Sequence, residues 1–182
     1  MGRRNRQRKE ILPTYYVFCE GQSEHEYILM LKRHFRMPSV VVKPSILGNK
    51  ISAKIIHKAI KGLPRHPKDK VFLLYDLDVE EVAQRLVKID GVILLTSNPC
   101  FEVWMYLHFS NLTNAVESND ILNRLKSLDP FNQYKKGSLK KSEVAALLNN
   151  METATERALN LNHPQNPSSS VHLLVTLMKN HA

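Results

Sequence analysis

Two apolar runs in the first hundred residues constrain the fold more than any other feature of the chain. KVFLLYDLD (70–78) and GVILLTSN (91–98) are apolar without alternation, which is typical of central strands that helices cover on both faces. TYYVFCE (14–20) and VVVKPS (40–45) are shorter and predict two further strands. Helical patterns separate these runs, as in EHEYILMLKRHF, ISAKIIHKAIKG and EEVAQRLVK. The order predicts an α/β fold with a four-stranded, mostly parallel sheet flanked by helices.

Local signals place the starts of two helices. Ser23 stands three residues before Glu26, which is the spacing of a capping box. Asn98 followed by Pro99 fits an N-cap and a first helical position, and opens a helix through CFEVWMYLHF. Apolar periodicity predicts further helices at about 118–128, 138–149, 151–160 and 170–180.

The domain organisation follows from these elements. A chain of 182 residues, 43% hydrophobic and 24% charged, suits one structural domain. We predict a basic flexible tail over 1–12, an α/β core over 13–98, and a helical extension over 99–182 packed on that core.

Three acids stand where predicted strands end. Asp76 and Asp78 are two residues apart, so in a strand they point to the same face. Glu20 ends the first strand, and Gly21 after it allows a sharp turn. Because the carboxyl ends of parallel strands share one edge of the sheet, these acids should meet there. A raised pKa, a basic partner or a hard cation such as Mg²⁺ would compensate their repulsion, whereas Asp78 has a helix-capping alternative.

Glu102 is a fourth candidate acid. It lies in FEVWMYLHF, where nearly every neighbour is large and apolar, so the helix is expected to be buried and its carboxylate to need a partner. The helix begins just after the fourth strand and therefore at the same sheet edge. The alternative is that Glu102 faces solvent in an exposed first turn, where the helix dipole favours an acid.

These motifs resemble those of a known family. FCEGQSEHEYI followed by LLYDLDVE resembles the Toprim pattern, a strand-end Glu-Gly and a later strand-end Asp-x-Asp. Together with SNPCFEVWMYLHF, YKK and NPSSSVHLLV, the chain resembles RloB-like proteins, which are associated with bacterial restriction and abortive-infection loci. The resemblance implies a metal-dependent, nuclease-like Toprim domain in phage defence.

The resemblance also implies roles for the acids. Glu20 corresponds to the catalytic glutamate, and Asp76 with Asp78 to the metal-binding pair, with Glu102 as an added acid. The expected cofactor is Mg²⁺, with Mn²⁺ as a substitute. Val79 rather than an acid follows Asp78, which leaves one or two metal ions open.

The charge of the chain points to a polyanionic partner. The formal net charge is +9 and the pI about 9.6, which favours nucleic acid. In QYKKGSLKK, Lys135, Lys136 and Lys140 are candidate phosphate contacts, Lys136 is a candidate catalytic residue for the developing phosphorane charge, and Tyr134 is a candidate to stack on a base. A solvated lysine loop is the alternative.

A second candidate phosphate site lies near the carboxyl terminus of the sequence. Ser168 and Ser169 precede a predicted helix, whose N-terminal N–H groups could hold a phosphate together with the serine hydroxyls. Ordinary capping explains these serines as well.

The function predicted from these observations is Mg²⁺-dependent hydrolysis of phosphodiesters in DNA or RNA, with Glu20 as general base or ligand. One alternative is a nucleic-acid-binding or partner-regulated defence module, with a companion ATPase as a further candidate partner. Another is a haloacid-dehalogenase-type phosphotransferase, although Glu20 has no place in that scheme. The sequence shows no run of about 20 apolar residues, and Cys19 and Cys100 favour reduced thiols, so no membrane partner and a cytoplasmic location are expected.

Overall fold

A single five-stranded sheet organises the chain. The computed structural model describes residues 13–44 and 50–181. The strands lie in the order β2-β1-β3-β4-β5; the first four are parallel and β5 is antiparallel to β4. Their bounds are β1 Tyr15–Cys19, β2 Val40–Pro44, β3 Lys70–Asp76, β4 Ile93–Asn98 and β5 Ser168–Ser169.

Helices separate the parallel strands and make up most of the second half of the chain. The first three are α1 Gln22–His34, α2 Ala53–Ile60 and α3 Glu80–Leu86, each following one parallel strand. The remaining helices are α4 Glu102–Leu107, α5 Ser118–Lys126, a short 3₁₀ turn Phe131–Gln133, α6 Lys141–Asn149, α7 Met151–Leu159 and α8 His172–Lys179.

Alternate residues of the central strands face two separate apolar layers. Val17 and Leu74 pack on the layer that contains α1, α4 and the helices of the second half, where Trp104 is fully buried. Phe18 and Leu73 face the opposite layer, formed by α2 and α3. Both faces of the sheet are therefore covered, which explains why the strands are apolar without alternation.

The structure confirms an α/β fold with a mostly parallel sheet and a helical second half, but it has five strands instead of four. The added strand is the pair Ser168–Ser169, which comes from the second half and joins the edge of β4. The predicted tail over 1–12 and the end of the predicted strand at residue 45 lie outside the described residues. Within the described ranges, no helix is both long and apolar enough to cross a bilayer.

Three local predictions were wrong. The N-cap of α1 is Gly21, so Ser23 lies inside the helix and does not form a capping box with Glu26. The helix expected to begin at Pro99 begins at Glu102, because Asn98 still belongs to β4 and its side chain donates a hydrogen bond to the carbonyl of Pro164.

The third error concerns Ser168 and Ser169, which precede α8 as predicted but form the strand β5 and do not adjoin the first turn of that helix. The α8 helix begins three residues later, and both serines are fully buried. Ser169 Oγ lies 3.0 Å from Ser97 Oγ of β4. The two hydroxyls therefore belong to the sheet edge, and the expected phosphate site at a helix N-terminus does not fit their positions.

Candidate functional site

Glu20 meets the end of β3. Its Oε2 atom accepts a hydrogen bond from the backbone N–H of Asp76 at 2.9 Å. The register of β1 and β3, in which Cys19 pairs with Leu74, brings the two strand ends to the same edge. The predicted convergence of Glu20 on this strand end is confirmed.

Glu24 joins these acids from the first turn of α1. The helix begins immediately after Gly21, so Glu24 lies one turn beyond Glu20 and is only 5% exposed. A Cβ atom on Gly21 would lie 2.9 Å from Glu24 Oε2, so a larger residue there would displace the end of this carboxylate side chain. The sequence analysis did not identify Glu24. Glu24 could have been identified from its position four residues after Glu20, one helical turn from a strand-end acid. The prediction that Ser23 and Glu26 form a capping box obscured this relation.

Glu102 completes the group and has two partners. It is 1% exposed at the start of α4, and its Oε2 atom lies 3.1 Å from Lys136 Nζ. Its Oε1 atom lies 3.3 Å from the hydroxyl of Tyr134. The prediction that a buried Glu102 needs a partner is confirmed, and the alternative of a solvent-facing first turn is wrong.

A small cavity of about 250 Å³ opens among these side chains. We call it the acidic cavity, and the charged residues that line it are Glu20, Glu24, Asp76, Glu102 and Lys136.

Asp78 lies beside the acidic cavity and not in its wall. β3 ends at Asp76, and the chain bends through residues 77 and 78, so Asp78 is exposed and does not share a strand face with Asp76. The N-cap of α3 is Val79 with no side-chain cap bond, so the capping alternative for Asp78 does not apply either. Asp78 acts on the cavity through its charge, which raises the pKa of Glu20 and of Asp76.

Three carboxylates of the acidic cavity have a raised pKa: those of Asp76, Glu24 and Glu20. Burial, followed by the charges of Glu24, Glu20 and Glu102, raises the pKa of Asp76 from 3.8 to about 9. Burial, with added repulsion from Glu102 and Glu20, raises the pKa of Glu24 to about 7. For Glu20, burial also raises the pKa, although the hydrogen bond from the N–H of Asp76 opposes the shift.

Lys136 is the cation that faces these acids. Burial alone would lower its pKa, but the ion pair with Glu102 outweighs burial, and the net pKa is raised. The lysine therefore stays charged and offsets part of the negative potential.

The loop that contains Lys136 is hydrogen-bonded to α1. Ser23 Oγ accepts a hydrogen bond from the N–H of Gly137 at 3.0 Å and lies 3.1 Å from the hydroxyl of Tyr134. Gly137 has φ +81°, and a Cβ atom there would lie 2.8 Å from Cγ of Gln22. These contacts fix Lys136 above Glu102.

Three residues of the predicted loop have different surroundings from Lys136. Tyr134 is 2% exposed and its ring packs 6.0 Å from that of Phe131, so its faces are not open to a base as the sequence analysis expected. Lys135 and Lys140 are exposed and line a neighbouring cavity of about 650 Å³.

The donor chemistry of the acidic cavity fits a hard divalent cation. Glu20, Glu24, Asp76 and Glu102 offer only oxygen atoms, which Mg²⁺ and Mn²⁺ accept, and Mg²⁺ commonly binds one or two carboxylates while keeping several waters. Among residues 13–44 and 50–181, no three His, Cys, Asp or Glu side chains are arranged as a group that could hold a metal ion. Binding would therefore involve few direct carboxylate ligands.

Fold and site together define an α/β protein that gathers buried and half-buried carboxylates and a lysine at the carboxyl edge of a parallel sheet. The family model of RloB-like proteins matches residues 15–178, nearly the whole chain. The chain therefore belongs to the RloB-like family. No match was found among the curated proteins or among the solved structures.

Proposed function

We propose that this protein is a metal-dependent nuclease of Toprim type that hydrolyses phosphodiesters in nucleic acid. The observation that carries the proposal is the convergence of Glu20, Glu24, Asp76 and Glu102 on one cavity that also contains Lys136. Buried carboxylates this close repel one another, and a divalent cation would compensate them better than one lysine does. The resemblance to Toprim proteins supports the same reaction.

The residues have distinct parts in this reaction. Asp76 and Glu102 are the candidate ligands of Mg²⁺, and Asp78, whose charge acts on Glu20 and Asp76, would contribute through water. The ion would polarise the phosphate and orient the attacking water. Glu20, positioned by the N–H of Asp76, takes the proton of that water or serves as a further ligand. The water oxygen forms a bond to phosphorus as the bond to the leaving oxygen breaks. Lys136, which pairs with Glu102 in the same cavity, would stabilise the charge on the phosphate oxygens.

The experiment that tests the proposal is cleavage of labelled single-stranded and duplex RNA and DNA by the full chain, with Mg²⁺, with Mn²⁺ and with EDTA. Asp76→Asn serves as the inactive variant, and Asp90→Asn as a matched control, since Asp90 is exposed before β4 at the opposite edge of the sheet. We expect metal-dependent cleavage that Asp76→Asn abolishes and Asp90→Asn retains. Equal cleavage by all three proteins would show a contaminant and would remove the proposal.

The cellular setting is a second part of the proposal. Family membership supports a role in phage defence, acting in the cytoplasm on invading or host nucleic acid. A plasmid carrying the gene should reduce phage plating in a sensitive strain, and the Asp76→Asn variant should not.

A nucleic-acid-binding module regulated by a companion ATPase is the second candidate function. The cavity containing Lys135 and Lys140 favours it, because these lysines lie outside the acidic cavity and can bind phosphate without it. This alternative predicts salt-dependent binding that survives Asp76→Asn, and cleavage only when the ATPase and ATP are added. Cleavage by the isolated chain would contradict it.

A further inference from the structure

A second cavity, of about 650 Å³, lies next to the acidic cavity on the side of α5 and α6. We call it the basic cavity. Its lysines are Lys126 at the end of α5, Lys135 in the loop, and Lys140 just before α6, and all three are exposed. This volume lies within the range of pockets that hold small ligands, and it is more than twice that of the acidic cavity.

The polar groups of the basic cavity differ from those of a solvated lysine loop. Asn132 and Gln133 add amide groups to its wall, and Lys140 Nζ donates a hydrogen bond to Gln133 Oε1 at 2.9 Å. Glu143 also lines it and is only 1% exposed. Glu143 Oε2 accepts the backbone N–H of Lys140, whereas Glu143 Oε1 is buried without a hydrogen-bond partner among the described residues.

A buried carboxylate oxygen without a donor is costly, and an amino group of a nucleobase is a donor of the right kind. Lysines at the rim provide positive charge for the phosphates on either side of such a base. The combination of a recessed acceptor and rim lysines suits a whole nucleotide better than an isolated phosphate.

The two cavities share one loop. Tyr134 lines the basic cavity, and its hydroxyl contacts Glu102 of the acidic cavity; Lys135 faces the basic cavity, and Lys136 the acidic one. Two adjacent nucleotides of a single nucleic-acid strand can therefore occupy the basic cavity and the acidic cavity. In a duplex, stacked and paired bases cannot enter a recess beside the backbone, whereas an unpaired nucleotide can turn its base inward.

We propose that the basic cavity binds an unpaired nucleotide adjacent to the phosphate in the acidic cavity, so that the substrate is single-stranded or locally unpaired nucleic acid. This inference deepens the proposed nuclease function and rests on it for the place of the reacting phosphate. The binding itself needs neither metal nor cleavage.

The test is a binding measurement with the full chain carrying Asp76→Asn, in EDTA, by fluorescence anisotropy of labelled nine-nucleotide RNA and DNA strands. The competitors are a hairpin duplex of the same composition and a strand with abasic sites. We expect the single strands to bind about tenfold more tightly than the duplex, and the abasic strand to bind several-fold more weakly than the intact one. Duplex binding as tight as single-strand binding would overturn the proposal, as would equal binding of the abasic strand.

Lysine variants locate the binding. Lys126→Met and Lys140→Met should each weaken single-strand binding several-fold and reduce the salt slope by about 0.7. Lys58→Met is the matched control, because Lys58 is exposed on α2, which covers the opposite face of the sheet. An equal loss in Lys58→Met would show that only net charge matters, and the site would be rejected.

The two proposals fail in different ways. If the chain cleaves duplex and single strands alike and Lys126→Met does not change cleavage, the nuclease proposal is supported and the nucleotide site in the basic cavity is rejected. If no cleavage occurs but single-strand binding that depends on these lysines persists, the nucleotide site is supported and the nuclease proposal is rejected.

Discussion

Asp76→Asn should stabilise the metal-free protein. The pKa of Asp76 is raised in the folded chain from 3.8 to about 9, so the folded state holds the proton more tightly than the unfolded state. For an acid shifted in this direction, stability is greatest below the unfolded pKa and falls as the pH rises toward the folded pKa. Asparagine has nearly the same shape and carries no charge, so this loss should disappear in the variant.

The size of the effect follows from proton linkage. At about 1.4 kcal/mol per pH unit, the interval from pH 3.8 to pH 7 corresponds to about 4 kcal/mol for Asp76. Water reaches this partly exposed carboxyl and screens its repulsion, so we expect a measured gain of about 1–3 kcal/mol at pH 7. The gain should shrink toward pH 4, where the carboxyl is protonated in the folded wild type and begins to be protonated in the unfolded chain as well.

The assay is guanidinium unfolding of the full chain in EDTA at several pH values between 4 and 8, with Asp90→Asn as the control. Adding Mg²⁺ should then stabilise the wild type by about 2.7 kcal/mol at one hundred times the dissociation constant, and Asp76→Asn much less. The reasoning is refuted if Asp76→Asn is no more stable than wild type at pH 7, or if the two pH profiles run parallel.

Three other changes test the loop and the core. Lys136→Met should lower cleavage about 100-fold in a steady-state assay, because Lys136 lines the acidic cavity where the reacting phosphate is proposed to bind. The exposed control Lys88→Met, which does not line that cavity, should stay near wild type, and equal losses would exclude the proposed role of Lys136. Gly137→Ala should lower the free energy of unfolding by about 2–4 kcal/mol in a denaturant titration, and the control Gly62→Ala by about 1 kcal/mol. Both glycines have φ near +80°, but an added Cβ atom would contact a side chain at Gly137 and nothing at Gly62. Similar losses in the two variants would show that the contact at Gly137 relaxes. Burial lowers the pKa of His108 to about 4, so its contribution to the free energy of unfolding is present above pH 6.5 and falls by about 3 kcal/mol toward pH 4. His108→Gln should reduce this loss of stability at acidic pH. An unchanged loss in the variant would contradict the assignment.

Much of the framework could be predicted from hydrophobic pattern. Runs such as 70–76 and 93–98 are long enough and apolar enough to be identified as buried parallel strands, and parallel strands place their carboxyl ends together by geometry alone. The convergence of Glu20 with Asp76 therefore follows from the order of elements. The buried state of Glu102 follows from its apolar neighbours for a similar reason.

The errors lie where tertiary contacts override local signals. Ser23 has the spacing of a cap, but its hydroxyl contacts Tyr134 and Gly137, more than one hundred residues away, and no local pattern reveals that. Taking Ser23 as the N-cap placed the start of α1 two residues too late and left Glu24 unrecognised. The strand containing Asp76 was predicted two residues too long, because a period of two cannot show where a chain bends.

The two-residue strand β5 has a consequence for how the protein is made. Its two serines and Ser170 form hydrogen bonds with the backbone along the outer edge of β4. The N–H of Ser170 donates to the carbonyl of Thr96, and Ser170 Oγ accepts a hydrogen bond from the N–H of Thr96, both at 2.8 Å. These partners are separated by 74 residues, so a growing chain on the ribosome carries an unpaired β4 edge until residues 168–170 emerge. The strand that leads into Glu102 therefore gains its second neighbour only after a segment about seventy residues further along the chain has been synthesised, so the site at its carboxyl end depends on contacts distant in sequence.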